Sequence, residues 1–189
     1  LLTAMGYSGH SAEVGVYRGE FSAAIMRTWK HGSRHYLVDP YLEHSAGCAG
    51  KTLARQHHCR KNSQLAFDQI FLSTRGMLRK RHPGRTVFLR NFSTAAAETF
   101  APSSLDFVYL DGRHDAEGVR EDLRAYWPKI CPGGILSGHD YSDKQVARAL
   151  GDFMRERTSK GKANATSLLW ITADHPASWF MFKPPPQSC

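Results

Sequence analysis

The sequence is short of several features that would assign it to a class at once. No apolar run in its 189 residues approaches the roughly 20 that a membrane span needs. The opening LLTAMGYSGHS has no basic segment leading a long apolar block, so no secretory signal is visible and an intracellular setting is expected. The chain does not begin with methionine, which leaves room for a removed targeting segment. Its four cysteines (Cys48, Cys59, Cys131 and Cys189) form no CxxC pair and no zinc-ligand spacing. Free thiols in a reducing compartment fit that pattern, and an extracellular Cys48–Cys59 disulfide is the other reading. No G-x-G-x-x-G follows a strand, which disfavours a nicotinamide dehydrogenase. No N/D-P-P-Y/W is present either, which counts against methylation of base amines. Internal repeats are also absent, and the length suits one core. A single domain over 1–183 is expected, with the proline-rich residues 184–189 as a loose tail.

Acidic residues are scarce in one stretch. Residues 51–90 hold ten Lys or Arg against Asp68 alone, so that segment carries +9 while the whole chain is +8. A solvated basic helix face is the plain reading; an anionic acceptor or a nucleic acid is the alternative. Few aromatics interleave with these charges, which weakens a single-strand nucleic-acid reading.

Against these absences stands a strong alternation of short apolar runs with longer helical patterns. Strands are expected at Ala12–Val16, His35–Asp39, Thr86–Arg90, Phe107–Asp111, Gly134–Gly138, Leu168–Ala173 and Trp179–Lys183. Helices are expected at about 19–31, 62–81, 93–100, 116–127 and 143–158. This order predicts an α/β fold, a mostly parallel sheet covered on both faces, with ligands at the strand C-termini. The last two strands are separated only by Asp174–Ser178, too short a gap for a helical crossover, so they should form an antiparallel hairpin. Pro132-Gly133-Gly134 reads as a turn into the fifth strand.

The first strand runs into Glu13-Val-Gly15-Val-Tyr-Arg-Gly19, an acid-x-Gly-x-x-x-Gly turn. Gly15 permits close backbone approach to a ligand, and Gly19 a tight start to the next helix. The second strand ends in Asp39, 24 residues after Gly15, where a carboxylate can accept hydrogen bonds from both ribose hydroxyls. Asp39 as a turn residue before Pro40 is the bland alternative. Together the two signals favour a nucleoside ligand.

EVGVYRGEFS, YLVDPY and, above all, DFVYLDGRHDAEGVREDLRAYWPKICPGGILSGHDY resemble the class I S-adenosylmethionine-dependent methyltransferases. The resemblance is to the small-molecule branch known as methyltransferase domain family 24, and it covers about 12–183. It implies a Rossmann-like three-layer sandwich whose seven strands lie in the order 3-2-1-4-5-7-6, strand seven antiparallel. It also implies that Glu13, Gly15 and Gly19 line the methionine end of the cofactor, with Tyr17 of the same turn and Asp111 also in contact. Asp39 would hold the ribose, and Asn91 to Ser93 would lie near the adenine.

Asp111 ends the fourth strand and Asp140 the fifth, so neighbouring strands would bring both carboxylates to one edge, beside the transferable methyl. Converging carboxylates with open positions suit a hard divalent cation such as Mg²⁺. His139, next to Asp140, is a candidate third ligand, although the resembling metal-dependent O-methyltransferases carry an acid there. His114, three residues after Asp111, is placed to act as general base, because imidazole titrates near neutrality. The alternative for DGRHD is a helix-opening loop with Asp115 as N-cap. Val119, Leu123, Tyr126 and Trp127 read as core-facing helical residues.

The expected activity is therefore methyl transfer from S-adenosylmethionine to a hydroxyl of a small sugar- or catechol-like molecule, assisted by a metal. An RNA-binding or RNA-modifying protein, and a cofactor-binding module without catalysis, are the competing readings. The sequence leaves room for a homo-oligomer and does not name the acceptor.

Overall fold

The computed structural model describes residues 1–43, 63–159 and 168–184. Seven strands form one sheet in the order β3-β2-β1-β4-β5-β7-β6. In chain order they are β1 Ser11–Val14, β2 His35–Val38, β3 Thr86–Leu89, β4 Leu105–Leu110, β5 Ile130–Gly138, β6 Leu169–Ile171 and β7 Trp179–Phe182. The helices are α1 Glu20–Thr28, α2 Gln64–Arg81, α3 Ser93–Ala97, α4 Ala116–Tyr126 and α5 Lys144–Ser159. The five strands β1 to β5 pair in parallel, whereas β7 runs antiparallel to both β5 and β6. The expected Rossmann-like sandwich and its closing hairpin are both present. Among the described residues, no helix is long and apolar enough to cross a membrane.

Burial on both faces follows from the side-chain alternation of β4. Val108 and Leu110 pack with Leu123, Tyr126, Leu150 and Phe153 of α4 and α5, while Phe107 and Tyr109 join Trp29 and Ile135 on the other face. Within α4, Gly118, Val119, Asp122, Leu123 and Tyr126 form the buried side, and Trp127 follows them into the core. The aromatic pair thus packs in the interior as expected.

The Pro-Gly-Gly stretch departs from the sequence reading. β5 begins at Ile130, before the prolyl turn, and its register with β4 jumps from Leu105↔Ile130 to Phe107↔Ile135. Residues 131–134 therefore bulge opposite the single Asp106. Gly133 adopts φ +81°, and an added Cβ at Gly134 would stand 2.9 Å from the Asp106 carbonyl oxygen. Pro132 removes a ladder donor where the strand is already irregular, so it is tolerated inside a central strand.

Several basic residues of the 51–90 segment have structural work. Arg85 donates from Nη1 to the Met26 carbonyl at 3.1 Å and from Nη2 to the Trp29 carbonyl at 2.8 Å, closing the end of α1. Arg90 bonds Asp68 and the carbonyls of Pro40 and Tyr41. Lys51, Arg55, Arg60 and Lys61 lie outside the described residues, as do Cys48, Cys59 and Cys189. Cys131 is a free thiol.

Candidate active site

Parallel pairing brings the ends of β1, β2, β4 and β5 to one edge. Among the described residues, three of the four non-glycine residues with positive φ sit in the turns there: Tyr17 at 46°, Tyr41 at 47° and Asp140 at 56°. Such backbone costs about 1–3 kcal/mol per residue and persists where packing and hydrogen bonds impose it.

The turn after β1 is held by the chain itself. Gly15 has φ +89°, and a Cβ there would meet the Asp111 carbonyl oxygen at 2.1 Å. Its glycine requirement thus comes from close packing against the end of β4. Gly19 starts α1 in the left-handed region, and a Cβ would press on Thr74 and Leu78 of α2 at 2.8 and 2.9 Å. Asp39 binds the same turn. Its Oδ2 accepts the Tyr17 N–H at 2.9 Å and its Oδ1 the Tyr41 N–H at 2.7 Å. The Tyr17 carbonyl accepts from the Tyr41 hydroxyl at 2.9 Å and the Thr74 hydroxyl at 3.1 Å, while the Tyr17 side chain is exposed. Asp39 is therefore both a turn-holding residue and an edge carboxylate.

Glu13 points into the fold. It is 2% exposed, accepts from the Ser22 hydroxyl of α1 and lies 3.4 Å from His35 Nε2. His35 Nδ1 in turn meets the Ser11 hydroxyl at 2.8 Å. Burial raises the Glu13 pKa above the ordinary carboxylate range, opposed by its bonds to His35 and Ser22. Its neighbours here are residues of β1, β2 and α1, two positions before the turn it was expected to line. Asn91 is exposed and its Oδ1 accepts the Phe92 N–H at 2.9 Å. Ser93 opens α3, and its carbonyl accepts from the Tyr126 hydroxyl at 3.0 Å.

The ends of β4 and β5 behave differently. Asp111, His139 and Asp140 each offer an atom within 4.8 Å of the others, and all three are half-buried. His139 Nδ1 is 3.1 Å from Asp140 Oδ1 and 3.9 Å from Asp111 Oδ1. His114 reaches back across the mouth, its Nε2 3.0 Å from Asp140 Oδ2 and 3.4 Å from Asp111 Oδ1. The structure thus brings all four residues together. The bond to Asp111 raises the His114 pKa above the usual imidazole value, with further support from the charges of Asp140 and Asp143 and opposition from burial. The bare carboxylates accordingly favour its protonated form.

Local chemistry explains each placement. Asp115 caps α4 by accepting the Gly118 N–H at 2.9 Å, so the capping reading of DGRHD holds for Asp115, while Asp111 and His114 stand together at the strand ends. Arg113 is drawn away from the mouth, its Nε and Nη2 on Asp115 at 3.1 and 3.0 Å and its Nη1 on Glu121 at 2.6 Å. On β5, a Cβ at Gly138 would stand 2.5 Å from the Trp179 indole, whose Nε1 donates to the His139 carbonyl at 3.1 Å. Sequence reasoning passed over Asp143, whose charge raises the His114 pKa, and Asp174, whose own pKa is lowered chiefly by the Thr172 hydroxyl. Their positions, just before α5 and in the β6–β7 turn, were the available signal.

This sheet order defines a Rossmann-like α/β protein, with a carboxylate after β2 and an open acidic edge after β4 and β5. A family model described as a methyltransferase domain matches residues 12–141. The chain belongs to that family, among the class I S-adenosylmethionine-dependent methyltransferases, and is an enzyme of that type. No curated protein sequence matches it. Among solved structures, the O-methyltransferase NovP is 20% identical with a TM-score of 0.66, over 97% of this chain and 75% of that one. A putative methyltransferase from Streptococcus mutans in complex with SAH (S-adenosylhomocysteine) is 8% identical with a TM-score of 0.60, over 93% and 88%. A putative rRNA-methylase from Clostridium thermocellum is 12% identical with a TM-score of 0.61, over 96% and 89%. At these identities the likeness is one of fold.

Proposed function

We propose that this methyltransferase acts on a hydroxyl oxygen of a small sugar- or catechol-like molecule, with a divalent cation such as Mg²⁺ at the mouth of the site. The observation that carries the reading is the convergence of Asp111, His139 and Asp140 within 4.8 Å, with His114 beside them. Two carboxylates suit a hard cation, and the imidazole widens the choice to other divalent metals. When bound, the ion would lower the pKa of an acceptor hydroxyl and supply Lewis acidity.

The chain's own residues divide the remaining work. Asp39 holds the ribose with the lone pairs its turn bonds leave, and the turn of Gly15, Tyr17 and Gly19 faces the methionine portion. Asn91 and Ser93 flank the base. Glu13 supports that turn from beneath, through Ser22 and His35. In the transfer, the acceptor oxygen attacks the methyl carbon as the carbon–sulfur bond breaks toward sulfur. The hydroxyl proton passes to Nε2 of His114, which must be neutral at that moment. Compensation of the charges of Asp111 and Asp140 would favour that neutral form, because both carboxylates raise the His114 pKa.

The RNA reading keeps one support, the basic segment, and the structure of α2 weakens it. Arg79, Lys80 and Arg81 occupy the last turn of α2, which leads into the start of β3, at the sheet edge opposite the mouth. Basic charge there does not guide an acceptor to the methyl group.

The test is calorimetry with S-adenosylhomocysteine and methyl-transfer assays over a panel of catechols and glycosides, with and without chelator. Binding that survives chelation, with transfer that requires added Mg²⁺, is the expected result. Chelator-insensitive transfer would end the metal assignment, and an absence of binding would end the cofactor assignment. Binding without transfer to any acceptor would favour the inactive module, and transfer confined to RNA would favour the competing enzyme.

A further inference from the structure

One buried side chain of the core bonds directly to the backbone of the mouth. Trp179 stands opposite Gly138 in the antiparallel register of β5 and β7 and is 1% exposed. A Phe or Leu would also fill that part of the core. The indole differs in carrying an N–H, a donor that needs an acceptor once it is buried. It finds the His139 carbonyl, at 3.1 Å. Gly138 leaves the room for this: a Cβ there would stand 2.5 Å from Cζ2 of the indole and equally close to the Leu110 carbonyl oxygen.

The bond falls on a particular peptide plane. The His139 N–H donates to the Leu110 carbonyl at 3.1 Å, which fixes the plane before His139. The Tyr141 N–H donates to the Ala177 carbonyl at 2.9 Å, and the Asp140 carbonyl accepts from the Asp143 N–H at 2.8 Å, which fixes the plane after Asp140. Trp179 holds the plane between them, and no other hydrogen bond to it is made among the described residues. That plane leads into Asp140, whose φ is +56°. A left-handed aspartate is strained, and one buried hydrogen bond is of the same order as that strain. The two residues that share the plane, His139 and Asp140, are also the two that converge with Asp111.

We propose that Trp179 is a positioning residue for the reaction: its indole N–H, by holding the His139 carbonyl, keeps His139 and Asp140 converged on Asp111. This rests on the reading above of the mouth as a cation-assisted site, and adds to it the core residue that sets the geometry. Without the N–H the plane is free to turn, Asp140 relaxes out of the left-handed region, and the atoms gathered with Asp111 and His114 spread apart. The turn after β1, held by Asp39, makes no bond to this plane and keeps its shape.

The experiment sets Trp179→Phe beside Trp29→Phe. Trp29 is also buried, and its indole donates to the Tyr7 carbonyl at 2.7 Å, at the sheet edge where Arg85 closes the end of α1. Each variant loses one indole and one buried bond, so a purely structural loss is common to both. Mn²⁺, a paramagnetic stand-in for Mg²⁺, is titrated and followed by electron paramagnetic resonance, and S-adenosylhomocysteine by calorimetry. Trp179→Phe should weaken Mn²⁺ binding about tenfold or more, while Trp29→Phe stays within about threefold of the wild type. S-adenosylhomocysteine affinity should change less than about threefold in either variant. A crystal structure of metal-free Trp179→Phe should show Asp140 at negative φ. Should Trp179→Phe not fold, benzothienylalanine in place of Trp179, which keeps the ring shape and lacks the N–H, carries the same test. Mn²⁺ bound as tightly by Trp179→Phe as by Trp29→Phe overturns the proposal, as does a structure with Asp140 still left-handed and beside His114. A wild type that binds no Mn²⁺ ends the cation reading instead, and the role of Trp179 then stands or falls on that structure.

Discussion

The ligand edge of the sheet has two halves that use carboxylates in opposite ways. At β1 and β2, Glu13 is buried among Ser22 and His35, and each oxygen of Asp39 accepts a backbone N–H. At β4 and β5, Asp111 and Asp140 face two imidazoles across an open mouth, and among the described residues no lysine or arginine pairs with either. Hydrogen-bonded carboxylates shape a turn and stay put. Carboxylates gathered around histidines hold negative charge ready for a cation or a proton. The first half is a hydrogen-bonded turn and the second an open acidic mouth, and Gly15 joins them by packing on the Asp111 backbone.

The sharpest way to break this contrast is at the mouth. Asp140→Ala should lower methyl transfer by about a hundredfold or more while S-adenosylhomocysteine binding changes less than about threefold. Titrating metal into both proteins and following turnover checks it. In the hydrogen-bonded turn the pattern should reverse. Asp39→Ala removes the acceptor for Tyr17 and Tyr41 as well as the proposed ribose partner, so cofactor affinity should fall about ten- to a hundredfold, read by calorimetry. Gly15→Ala tests the joint between them. With φ at +89° and the Asp111 carbonyl 2.1 Å from the new Cβ, it should destabilise the fold by about 2 kcal/mol or more in denaturant titration.

The smallest effect concerns protons. His114 has a folded-state pKa raised by Asp111, Asp140 and Asp143, so its contribution to stability is full below the ordinary imidazole pKa. That contribution is lost as pH rises through the raised value. In metal-free protein, His114→Gln should flatten the decline in melting temperature above about pH 6.5. Because the pair is partly exposed, high salt should shrink the difference.

The strand positions were legible because apolar alternation and turn chemistry are local. Each of the seven expected strands overlaps an observed one, and only the Pro132–Gly134 bulge was misread as a turn. The mouth was legible in part. LDGRH and GHDY end neighbouring strands, so parallel pairing alone places Asp111 near Asp140. The inward turn of Glu13 was not legible, because it depends on Ser22 and His35, residues whose approach no linear pattern states.

Sequence by itself determined the run of strands and helices, the hairpin at the end and the acid at each functional strand terminus. These follow from side-chain period, loop length and backbone preference within a few residues. Only the tertiary structure decided which acids stay buried, which bind backbone, and which meet His114 and His139 over open space. Hydrogen bonding and charge act over a few ångströms, and distances on that scale exist between distant parts of a chain only after the sheet has assembled.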